Sequence, residues 1–169
     1  MTRSVVPVTI VTLFLVALQL SVFSSLRFAG VVVMIVWLWP LCLGLVGRTG
    51  LGLWSALVAG VFFDTHSVTP FGLSALVALT LAYGASRLGK EGVGDLDSAA
   101  WWVTPVLAGV GGLFAPALFV AAGAFALDFS LWRNSVAPMM MVNALAFMVL
   151  ARPVTRLARW SSGMGRSRR

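Results

Sequence analysis

Long apolar runs, each closed by a charged residue, constrain this chain more than any other feature. Residues 4–23 carry no charge, and the run lies between Arg3 and Arg27. Further runs cover residues 28–47, 49–63, 70–86, 99–127 and 135–151, ending at Arg48, Asp64, Arg87, Asp128 and Arg152. The chain is 60% hydrophobic and 10% charged, against about 25% charged in ordinary soluble domains. A soluble fold of 169 residues leaves too much of its chain in contact with water to hide that apolar excess. Disorder requires the opposite balance. The expectation is an integral membrane protein, and at about 20 residues per span the length allows at most six or seven.

Continuous runs favour helices over the alternating strands of a barrel. Two runs have unusual lengths. Residues 49–63 reach only about 22 Å as a helix, short of a ~30 Å hydrocarbon core. Residues 99–127 reach about 43 Å and contain Pro105 and Pro116, which predicts a tilted, bent helix. If the short third run crosses, and the N-terminus is inside, ten of the twelve basic residues fall on the inner side. Arg27 and Arg133 alone fall outside. If the run re-enters, three fall inside. The positive-inside rule selects the crossing form. The sequence therefore predicts an all-α, six-transmembrane-helix bundle over residues 1–151 and a basic cytoplasmic tail over 152–169. It places the chain in a bacterial cytoplasmic (inner) membrane with both termini cytoplasmic. The first run is too long for a signal-peptide core and lacks an A-x-A site, so it reads as an uncleaved span.

The net charge of +7 is scattered between apolar runs, with no basic face interleaved with aromatics, which argues against nucleic acid. Cys42 is the single cysteine and His66 the single histidine, so neither a disulfide nor a multidentate metal site is expected. No Gly-rich phosphate loop and no serine-hydrolase elbow occurs. Asp64 and Asp128 fall at outer helix ends, where an aspartyl dyad is conceivable. The simpler reading is that Asp64 closes its own turn, residues 64–67. Charged groups are nearly absent inside the runs, which argues against a pump. The chain is expected to be neither an enzyme nor a cofactor binder.

Packing signals are richer. Gly52, Ala56 and Gly60 make a small-residue stripe, a candidate groove for a partner's helix; Ala108, Gly112 and Pro116 make a second. Gln19 and Asn143 are placed to hydrogen-bond across helices. Trp37 and Trp39 fall mid-span, and at least one must pack against another helix. Gly44, Gly47, Gly50 and Gly52 read as a tight inner turn. In the tail, Arg152, Arg156, Arg159 and Trp160 suggest an interfacial helix against anionic lipids.

The stretch ALVAGVFFDTHSVTPFGLSALVALTLAYGASRL, residues 56–88, resembles the rod shape-determining protein family MreD. The resemblance is carried by Gly60, Asp64, Pro70, Gly72, Leu73, Ala75, Leu76 and Tyr83, with a similar first outer turn in LQLSVFSSLRFAG, residues 18–30. It implies a non-catalytic component of the cell-wall elongation (rod) complex. Such a protein associates with the single-span protein MreC. Through MreC it associates with the peptidoglycan polymerase RodA, a class B penicillin-binding transpeptidase and MreB. The resemblance also implies a fold like the substrate-binding subunits of energy-coupling-factor transporters. The alternative it raises is a vitamin-type carrier subunit. Such subunits resemble a pattern of paired alanines on the first helix, where this chain has only Ala17.

Overall fold

The computed structural model describes residues 2–23, 27–28, 31–32, 34–66, 70–89 and 137–161. The described chain is helical apart from one two-residue ladder. In order it contains α1 (Thr2–Leu18), a π-helical turn (Gln19–Phe23), β1 (Arg27–Phe28), β2 (Val31–Val32), α2 (Ile35–Leu45), α3 (Thr49–Asp64), α4 (Leu73–Leu88) and α5 (Ala137–Ser161). The strands pair antiparallel, Arg27 opposite Val32 and Phe28 opposite Val31. Two stretches, Val5–Val22 and Met140–Ser161, are long and apolar enough to cross a membrane. The expected fifth run, with Asp128, Arg133 and the Ala108, Gly112, Pro116 series, lies outside the described residues.

The second run differs most from expectation. Residues 28–47 read as one helical span, but the chain first turns back through the β1–β2 ladder and becomes helical only at Ile35. What remains is 11 residues, about 16 Å long. Every residue of α2 is buried, so Trp37 and Trp39 are both interior although they point to different sides. A helix apolar all round belongs in the middle of a bundle, and hydropathy alone cannot separate such a helix from a span facing lipid.

A helix that begins in the interior must satisfy its first N–H groups there. Two side-chain amides do so. Gln19 Oε1 accepts from Ile35 N at 2.9 Å and Val36 N at 3.4 Å. Asn143 Oδ1 accepts from Met34 N at 2.7 Å. The expectation that these residues bond across helices holds, and their specific work is to cap α2. Two threonines of α1 add a second tie. The Thr12 hydroxyl donates to Val8 O and accepts from the Trp39 indole at 3.1 Å. Thr9 donates to Val5 O and accepts from Trp54 at 2.9 Å.

A tight turn is present where expected, but of the four glycines only Gly47 lies in it; Gly44 belongs to α2, and Gly50 and Gly52 to α3. Gly47, at φ +78°, joins α2 to α3 in the left-handed region that favours glycine. Beside it, Gly52 lies against the backbone of Gly44 and Pro40. A Cβ on Gly44 would meet Ala82 O at 2.6 Å, so α2 and α4 run side by side in near backbone contact. The α5 helix begins next to the start of α2 and stays against it. The boundary expected between residues 151 and 152 falls inside α5, which continues without a break to Ser161.

Candidate functional site

The residues that carry the family resemblance divide into two groups. Gly60, Asp64, Gly72 and Ala75 build the joint between α3 and α4. Pro70, Leu76 and Tyr83 are exposed, and Leu73, the first residue of α4, is half-buried.

At the joint, α3 meets α4 without side chains between them. A Cβ on Gly60 would lie 2.2 Å from Ala75 Cα and 2.5 Å from Ala75 N. Neither helix can keep this crossing if residue 60 is anything but glycine. Asp64, only 4% exposed, ends α3 and reaches across the loop. Its Oδ2 accepts from Gly72 N at 2.8 Å and Ala75 N at 3.4 Å, and its Oδ1 from Ser74 N at 3.2 Å. Those are orphan donors at the start of α4, where a carboxylate also suits the helix dipole. Gly72, the residue before α4, has φ +95° and no side chain to cap with, so Asp64 supplies the cap from the neighbouring helix. The carboxylate expected to close the turn 64–67 thus reaches to α4, and Ser67, the last residue of that turn, lies outside the described residues. Thr65 and His66 instead bond one another at 2.9 Å and return to Phe62 O. Asp64 is thus spent on three backbone donors, while Asp128, the other carboxylate of the conceived dyad, lies outside the described residues.

The small-residue stripe is also corrected. Gly52 faces α2, Gly60 faces α4, and Ala56 is fully buried. The groove expected for a partner's helix is filled by this chain's own helices. Spacing reveals that a stripe permits close approach, but not which helix approaches.

The exposed face of α4 carries Leu76, Thr80, Tyr83 and Arg87, spaced four, three and four apart and therefore in line. Thr80 donates to Leu76 O at 2.8 Å. The Tyr83 hydroxyl, on a residue 48% exposed, accepts from Arg87 Nε at 3.0 Å and from Nη2 as well. Its own proton has no acceptor among the described residues. The exposed residues of neighbouring α3, Trp54, Leu57 and Phe62, are apolar or nearly so. In the sequence this polar stripe is marked only by the spacing of residues 76, 80, 83 and 87.

Charge separates along the bundle. Gly89 lies against Leu45 O, which puts Arg87 and Arg48 at the same end. The direction of α5 brings Arg152, Arg156 and Arg159 to that end too. Asp64 and His66 lie at the opposite end, together with the ladder that contains Arg27. Among the described residues no group of three metal-binding side chains occurs. No family profile matches the chain, and neither do curated proteins or solved structures.

Proposed function

We propose that this chain is a non-catalytic membrane scaffold of the MreD type. It spans a bacterial cytoplasmic membrane six times with its arginine-rich end in the cytoplasm. It holds the single helix of an MreC-type partner, and so positions the RodA-type polymerase and its transpeptidase for cell-wall elongation. Support for the orientation comes from the segregation of Arg48, Arg87 and the α5 arginines at one end. Support for scaffolding comes from the division of the motif. Gly60, Asp64, Gly72 and Ala75 are consumed in building the α3–α4 pair, which leaves the motif residues Leu76 and Tyr83 exposed on one face of α4.

The observation that carries the reading is the polar stripe on α4. The Tyr83 hydroxyl, held by Arg87, keeps a proton to donate, and a partner helix along this face would supply an acceptor together with van der Waals contact. The partner's span therefore belongs along Leu76, Thr80 and Tyr83 rather than along Gly52, Ala56 and Gly60. Replacing Thr80 and Tyr83 together by leucine is expected to abolish co-purification with an MreC-type partner while the isolated protein keeps its melting temperature. Full co-purification of the double variant would refute the docking face.

A further inference from the structure

The exposed stripe of α5 changes chemistry part-way along. Met141, Leu145, Met148 and Val149 are exposed and apolar. The same stripe then continues as Arg152, Arg156 and Trp160, with Trp160 72% exposed. The opposite stripe, Asn143, Phe147, Ala151, Thr155, Ala158 and Ser161, is buried throughout. That buried stripe fixes the rotation of the helix, so Arg152 and Arg156 cannot turn inward. They lie one turn apart, about 6 Å along the axis, with both side chains on the same face. The helix has no acidic residue, and neither arginine forms an ion pair among the described residues. Arg48 and Arg87, at the same end of the bundle, add to the positive field there.

We propose that the C-terminal half of α5 is a binding surface for anionic phospholipid headgroups, with Arg152 and Arg156 sharing one headgroup phosphate and Trp160 lying at headgroup depth. The inference rests on the membrane reading above but not on the MreC assignment. The chemical change at residue 152 is what a helix shows where it leaves hydrocarbon for the headgroup layer. Two guanidinium groups one turn apart suit a phosphate with several acceptor oxygens. The sequence alone suggested a separate interfacial helix lying in the membrane plane. A continuous, rotationally fixed α5 instead presents the arginines at one defined place on the rim.

The test is native mass spectrometry of the full chain in mild detergent, titrated with phosphatidylglycerol or with phosphatidylcholine. The wild type is expected to hold phosphatidylglycerol far more tightly than phosphatidylcholine. Replacing Arg152 and Arg156 together by glutamine is expected to weaken phosphatidylglycerol binding about thirtyfold and leave phosphatidylcholine unchanged. The corresponding double lysine variant should recover most of the loss, which separates a charge effect from misfolding. Equal retention of both lipids by the wild type, or an unaffected glutamine variant, would overturn the proposal. So would competition by millimolar inorganic phosphate, which would indicate a soluble ligand, or retention of a co-purified protein in place of lipid.

Discussion

The α3–α4 joint and the α1–α2–α5 junction hold helices together by opposite means. At the joint, the helices cross with no side chain between them: Gly60 lets Ala75 approach to backbone contact, and only the Asp64 carboxylate, at the end of the crossing, ties them by hydrogen bonds. At the junction, side chains do the work: Gln19 and Asn143 reach into the interior to satisfy the start of α2, and Thr9 and Thr12 accept from tryptophan indoles. Close approach without side chains gives a rigid pair that tolerates no added volume. Amide and hydroxyl ties leave room for adjustment but fail if one acceptor is lost. The difference teaches where this fold is brittle.

The comparison breaks most readily at Gly60. Gly60→Leu should cost about 4 kcal/mol or more, seen as loss of folded protein on size-exclusion chromatography or collapse of the melting temperature in detergent. A variant that melts like the wild type would mean that α3 and α4 do not cross as described. Next is Asp64→Ala, which leaves three backbone donors without their acceptor and should cost roughly 2–3 kcal/mol. Asp64→Asn keeps an acceptor and should recover about half of that loss in the same melting measurement. Equal loss for both would point to charge rather than hydrogen bonding as the source.

Gln19→Leu comes third, at roughly 1–2 kcal/mol. Hydrogen exchange at Ile35 should accelerate in that variant, whereas exchange at Ala75 should not. Acceleration at both would mean that joint and junction unfold as one unit, which would dissolve the contrast between them. The smallest effect is expected at Gly50. A Cβ there meets nothing within 4 Å, so Gly50→Ala should stabilise α3 by about 0.5–1 kcal/mol, a small rise in melting temperature.

The third and fourth runs were legible as helices. The run at 49–63 became Thr49–Asp64 and that at 70–86 became Leu73–Leu88, because single charges and glycines mark their ends. The turn at Gly47 was legible for the same reason. The start of α2 was not, since nothing in hydropathy distinguishes a short ladder of apolar residues from the first turns of a span. The cap from Asp64 was illegible because its donors are backbone groups eight to eleven residues on, and backbone donors leave no mark in the sequence. The stripe Gly52, Ala56, Gly60 was legible as a packing surface but not as to its occupant. The exposed stripe of α4 becomes visible as a surface only once the buried side of the helix is known.

One side of α4 is spent on packing against α3, and the proposed partner would lie along the other. Photo-crosslinking in membranes tests it most directly, with a crosslinking residue at position 80 or 83 and, as the internal control, at position 56. Crosslinks to an MreC-type single-span protein are expected from 80 and 83 and none from 56. Crosslinks to that partner from 56, or none from α4 while the partner still co-purifies, would contradict it.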